Sequence, residues 1–382
     1  MGLFDRFRKP KQETPNIPSE MLAQLNSLRQ AMQAETAQAT ASGEADMARM
    51  SAQECMVTGE QLLQQGRWQE AEPWLFASLE KAEQGVDLKL QCQVTALLGG
   101  LCENRGELPQ AMALCQQALG LAERLGDLRE QAAYYNQIGS IFFRQGLYPQ
   151  TIEHYRKSLE IAEKLGNEEG QVVGYGNLGN VYSLQGDLTM AIDAYEKSLA
   201  LSNKLGNDHT TASIYGNLAN AYQYHGRSEL AKEMCRKSLN IAERLGLELV
   251  SARNYALLAI IYREQGALDE SLKMNEKCLP IMQRIGNEPG MGTVYNNMAN
   301  VYQQKGDTVR AVEHYRKALE VVERIGNQHS AAINYFNLGQ LYRNHIGDPA
   351  LARQHFEKAK ALYEILGLTE DAQKVAMELR GL

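Results

Sequence analysis

The chain has 382 residues and a formal net charge of -7, with 44% hydrophobic and 22% charged residues, a balance typical of folded rather than disordered chains. The acidic balance argues against a general nucleic-acid binder, which sets clustered Lys and Arg against phosphate. No apolar run approaches the roughly 20 residues that span a bilayer, and "MGLFDRFRKP" offers no apolar stretch of the kind a secretory signal needs. The six cysteines form no CxxC pair and sit within helical apolar patterns. They are expected to be reduced core thiols, as in a cytoplasmic protein.

Residues 1–18 are expected to be a flexible basic tail. Arg6, Arg8, Lys9 and Lys11 stand beside Leu3, Phe4 and Phe7, a pattern that fits weak contact with a membrane surface or a partner. The short run before Pro10 favours an unstructured tail. A myristoylation pattern is not met, since Arg6 stands where Ser or Thr is needed. Residues 19–45 read as a Gln-rich helix and a linker, with a break at "ASGE", Ala41 to Glu44.

From residue 46 to 367 the chain repeats itself. Glycines recur every 40 residues at Gly66, Gly106, Gly146, Gly186, Gly226, Gly266 and Gly306, then at Gly347 after a one-residue insertion. A second series, Gly126, Gly166, Gly206, Gly246, Gly286, Gly326 and Gly367, divides each unit in two, with Gly85 one residue early in the first. Glycine stops a helix by taking the left-handed conformation. Asp127, Asn167, Asn207, Asn287 and Asn327 follow the second series directly and suit the cap of a new helix. Apolar residues recur at three and four, as in Ile152, Tyr155, Leu159 and Ala162, so each half is helical. The chain therefore reads as eight helical hairpins, and residues 368–382 as a C-terminal capping helix.

Within each unit, small residues precede the central glycine by seven (Gly99, Gly139, Gly179, Ala219, Ala259, Ala299) and alanines usually follow it by five. A glycine inside a helix costs about 1 kcal/mol against alanine, so its repetition predicts a close helix crossing. Two tyrosine rows, Tyr135 to Tyr335 and Tyr182 to Tyr342, hold eleven of the 18 tyrosines and read as repeated packing elements. Unit six departs from this pattern. It reads "ARNYALLAIIY" and carries Pro280 deep in its second helix, where a kink is expected. A change of curvature and a distinct binding spot are both open there.

The small residues, the aromatics and the "A-x-x-x-Y-x-x-S-L" run of Ala191 to Leu199, with "NLGN" and "LGN" at 40-residue spacing, resemble the tetratricopeptide repeat (TPR) family. The 40-residue spacing resembles its long-helix subtype, found in Pins/LGN adaptors and bacterial adaptor proteins. The resemblance covers about Asp46 to Leu366 and implies an all-α, right-handed α-solenoid whose first helices line a concave groove. Such repeats stack because one hairpin cannot bury its own apolar face.

Asn177 with Asn180, Asn217 with Asn220, Asn297 with Asn300, and Asn337 with Gln340 stand three apart on first helices, hence on one face. The resemblance implies that these carboxamides face the groove and bond to the main chain of a bound peptide. A carboxamide both donates and accepts, so it bridges N–H and C=O groups without needing charge. The alternative is that the same amides bond to neighbouring helices and stabilise the array. Gln137, Arg144, Tyr224 and Arg253 complete the candidate partner-binding set. Basic residues for a carboxylate clamp on successive first helices are not present together.

No catalytic residue, metal site or cofactor is expected. The seven histidines are scattered over different units without ligand spacing, and no nucleophile elbow or phosphate loop follows a strand. The expected function is a non-enzymatic scaffold or adaptor that binds a protein or peptide segment. The alternative is a regulatory sensor whose superhelical pitch responds to its ligand, docked at a membrane through its N-terminus.

Overall fold

A computed structural model describes residues 43–382. The basic tail and nearly all of the 19–45 segment lie outside the described residues. Gly43 and Glu44, expected in a break, instead open a helix. The chain divides into two compact units, with the boundary between Gln185 and Gly186.

The first unit holds α1 (Gly43–Arg49), α2 (Ala52–Gln64), α3 (Trp68–Gln84), α4 (Leu88–Arg105), α5 (Leu108–Leu125), α6 (Leu128–Arg144), α7 (Tyr148–Lys164) and α8 (Glu168–Gln185). The second holds α9 (Leu188–Leu205), α10 (Asp208–Tyr224), α11 (Ser228–Leu245), α12 (Glu248–Glu264), α13 (Leu268–Arg284), α14 (Glu288–Gln304), α15 (Thr308–Arg324), α16 (Gln328–Leu341), α17 (Pro349–Ile365) and α18 (Thr369–Arg380). No strand occurs among the described residues. From α2 onward, consecutive helices within each unit pack as neighbours, and the first helices of successive hairpins also touch: α2 with α4 and α4 with α6, then α10 with α12, α12 with α14 and α14 with α16. The architecture is an all-α solenoid of helical hairpins, and α18 closes its end by packing on α17 through Ala372 and Val375.

Local chemistry sets the helix limits. Asp127, Asn167, Asn207, Asn287 and Asn327 each accept from a backbone N–H two or three residues on, satisfying a donor the helix leaves free. Both glycine series take positive φ, between 63° and 81°. The exception is the first unit's second stop. There Gly85 stays right-handed and Val86 takes φ 54°, because Val86 and not Gly85 holds the 40-residue register with Gly126.

Two departures from regularity have clear causes. The residue inserted before Gly347 is absorbed by a π turn, Tyr342–Ile346, in which Gly347 N–H donates to Tyr342 C=O at 2.8 Å. Such a bulge takes up one extra residue without ending the helix. Pro280 does not interrupt α13, which runs from Leu268 to Arg284. Proline removes the bond that the Glu276 carbonyl would accept and crowds that carbonyl; Pro280 and Glu276 are both exposed, so the oxygen can tilt outward and water can serve it.

The expected close crossings are present. A Cβ on Gly139 would fall 2.6 Å from the Tyr155 ring, and one on Gly339 2.6 Å from Phe356. The tyrosine rows pack and also staple adjacent hairpins through their hydroxyls. Tyr175 donates to Glu163 at 2.8 Å, and Tyr255 and Tyr335 donate to Glu243 and Glu323 in the same way. In the second row Tyr222 donates to Glu196 at 2.7 Å, and Tyr182 accepts from Arg156 at 2.8 Å. Burial and these carboxylates push the Tyr222, Tyr255 and Tyr335 hydroxyls up to about 12, so they remain donors at neutral pH.

Candidate binding face

The face presented by the first helices carries the candidate residues, and their side chains fall into two groups. In the first unit most are engaged. Asn177 on α8 donates to Asn136 on α6 at 2.8 Å, and Asn180 also has a partner. Arg144 donates to the Glu103 carbonyl of α4 and lies 4.0 Å from its carboxylate, which also accepts from Ser140 at 2.8 Å. Gln137 is half-buried.

In the second unit the row divides again. Asn300 is committed inward, donating to Asn296 at 2.8 Å and accepting from the fully buried Tyr315 hydroxyl at 2.5 Å. Asn217 has a partner. The Asn297 Nδ2 is buried and makes no hydrogen bond. Asn220 and Arg253 are exposed, Asn337 and Gln340 half-buried, and Tyr224 is 75% exposed.

Among these, the structure brings Asn217, Asn220 and Arg253 together. With Asn254, Val250 and Leu257 they line a cavity of about 60 Å³ between α10 and α12. Gly216 forms part of the wall, and a Cβ there would lie 3.4 Å from the Asn254 amide nitrogen. Asn254 is 2% exposed. Its Nδ2 donates to Ser238 Oγ and to the Val250 carbonyl, both at 2.8 Å, while its Oδ1 has no partner. Turning the amide over would set oxygen against the Val250 carbonyl, so the orientation is fixed by the bonds it makes.

Sequence reasoning missed Asn254. Its signal was the register: Ile214 and Val294 fill the same place in the neighbouring units, and Asn334 repeats the asparagine two units on, so the two interrupt a largely apolar column. A larger cavity of about 430 Å³ lies near the α15–α16 connection, walled by Val322, Ala331, Tyr335 and Leu362. It contains none of the predicted residues.

Among the described residues no group of three His, Cys, Asp or Glu side chains is placed to hold a metal. The six cysteines are free and buried. Burial pushes the Cys102, Cys115 and Cys235 thiols up to about 12, which keeps them protonated and unreactive at neutral pH. No helix among the described residues is long and apolar enough to cross a membrane.

Comparison with known proteins agrees with this architecture. A MalT-like TPR region model matches residues 92–285 and a tetratricopeptide repeat model matches residues 290–365. No curated protein matches the sequence. The apo quorum sensor NprR from B. thuringiensis is similar at 13% identity and TM-score 0.64, over 90% of this chain and 97% of that one. A signal-transduction ATPase (STAND) protein with a tetratricopeptide repeat sensor, from Pyrococcus horikoshii, is similar at 14% identity and TM-score 0.65, over 85% of this chain and 50% of its own. The apo form of RapI gives TM-score 0.54 at 14% identity, over 65% of this chain and 97% of that one. At such identities the structures speak to the fold, and the family models, the first spanning just over half of the chain, speak to descent. The chain belongs to the tetratricopeptide repeat family.

Proposed function

We propose that the protein is a non-enzymatic interaction scaffold that acts in the cytoplasm and holds a peptide or partner helix on its first-helix face. The observation that carries this reading is the set of solvent-facing Asn220 and Arg253 and half-buried Asn337 and Gln340 on three first helices of the second unit, α10, α12 and α16. None of these four has a hydrogen-bond or ion-pair partner among the described residues. A folded protein gains little by leaving such groups idle on one face, whereas a peptide backbone offers a donor and an acceptor at each residue. Asn300 and Asn177, tied to other side chains, serve the scaffold in this reading. The basic tail, outside the described residues, is left with weak surface contact as its role.

The test is affinity capture from the source cells, comparing the wild-type chain with a variant carrying Ala at Asn220, Arg253, Asn337 and Gln340, after circular dichroism shows both equally folded. Partners lost by the variant place binding on this face. Retention of every partner by the variant would sink the reading. A sensor role is the second reading, favoured by the two quorum-sensing and signalling proteins of like fold. It requires a ligand-dependent change in radius of gyration by small-angle scattering, and unchanged scattering with saturating ligand rules it out.

A further inference from the structure

We infer that the α10–α12 cavity is a selectivity pocket for a primary carboxamide, the side chain of Asn or Gln in a peptide lying on this face. The inference rests on the proposed function and adds the chemistry of one subsite. Three groups set the requirement. Asn254 presents an oxygen acceptor that nothing satisfies, on a side chain 2% exposed, and a buried polar atom left unpaired is costly. Arg253 presents a guanidinium without a partner at the rim, and Asn220 an exposed carboxamide.

The occupant must therefore donate at the floor and accept at the rim. A carboxylate has no proton to give at neutral pH and would set its charge against the Asn254 oxygen. An ammonium can donate, but it meets the positive charge of Arg253. A carboxamide does both, its NH2 toward Asn254 Oδ1 and its carbonyl toward Arg253 or Asn220. A volume of about 60 Å³ admits a group of that size.

Asn334 and Asn275 also carry an unpartnered Oδ1 in the second unit, but neither lines this opening. One feature sets Asn254 apart: it lines the opening beside Gly216, where a Cβ would lie 3.4 Å from its amide nitrogen and 3.6 Å from its oxygen. Its place in the repeat is held by Ile214 and Val294 in adjoining units, so an apolar residue is compatible with the same helix packing.

The experiment selects random 12-residue peptides on the full chain by display. Recovered peptides are then measured against wild type and Asn254→Val, with Arg253→Ala as a second variant. Asn254→Val follows the register of its neighbours, and Ser238 Oγ keeps its bond to the Ala212 carbonyl at 2.7 Å, so the variant should fold with an unchanged or raised Tm. The expected result is one peptide position fixed as Asn or Gln. Changing it to Asp or Glu should weaken binding to wild type about tenfold or more, and that ratio should fall toward one on Asn254→Val. Peptides that bind with no amide preference, or that prefer an acid, overturn the inference and leave the proposed function standing.

If no peptide is enriched, affinity capture decides the proposed function and the pocket is judged alone. The probes are then propionamide, propionate and ethylammonium, added to full chain labelled with ¹⁵N-asparagine. Saturable movement of the Asn254 side-chain signal by propionamide alone upholds the pocket. Equal response to propionate, or no response, overturns it.

Discussion

Val86 shows how closely the repeat dictates conformation at a single position. It is the one described non-glycine residue with positive φ, at 54°, in a place where the left-handed region costs a side chain about 1–2 kcal/mol, and it is 74% exposed, so packing returns little. Val86→Gly should therefore stabilise the first unit by about 1 kcal/mol in urea unfolding, and a loss of stability would show that the valine makes contacts that outweigh its strain. His355 makes the opposite kind of prediction. Its ring stacks on Tyr342 at 5.3 Å and on Tyr335 at 5.8 Å, and its Nδ1 is buried without a partner. Burial first, then the charges of Lys358 and Arg316, lowers its pKa to about 4, whereas an unfolded imidazole titrates near 6.5. Between those values the unfolded chain binds more protons, so this contribution is present at neutral pH and is lost as pH falls from about 6.5 to 4. His355→Phe should keep the stacking and remove that part of the slope. Parallel falls of Tm in wild type and variant between pH 7 and 4.5 would refute it.

Helices and their junctions were largely legible because the signals are local. Caps at Asn207 and Asn287 and the left-handed Gly206 and Gly246 act within a turn of themselves, so spacing alone identifies them. The candidate face was only half legible. Residues three apart share a face, but whether an amide there meets solvent or a neighbouring helix depends on what packs beside it. Asn300 and Asn220 hold the same place in their repeats, yet Tyr315 on α15 reaches the first and the equivalent Cys235 on α11 cannot reach the second. The small-residue contacts allow a paired test of helix crossing. Gly139 in α6 has the Tyr155 ring within 2.6 Å of a built Cβ, while Gly120 in α5 has nothing within 4 Å. Gly120→Ala should stabilise by about 1 kcal/mol through helix propensity. Gly139→Ala should instead destabilise by about 1–3 kcal/mol, since overpacking outweighs the same propensity gain. Equal effects of the two changes on Tm would mean that the crossing has room to adjust.

Within each unit, contacts run between sequence neighbours: helices pack on the next in order, and first helices also touch the first helix of the following hairpin. Stability in such an array is close to a sum of hairpin terms and nearest-neighbour interfaces, so damage should spread only a short way before the remaining interfaces hold. Phe356 tests this, because it is fully buried on α17, packs beside Phe336 at 5.7 Å and fills the space that Gly339 leaves on α16. Phe356→Ala should cost about 3–5 kcal/mol locally. In hydrogen exchange the loss of protection should concentrate in α16, α17 and α18 and fade through α14, leaving α2 to α6 at wild-type rates. Exchange that rises equally in every helix would instead mean that the chain opens as one cooperative body. The binding face would then depend on the whole array, and substitutions far from α10 and α12 would weaken ligand binding as much as those within them.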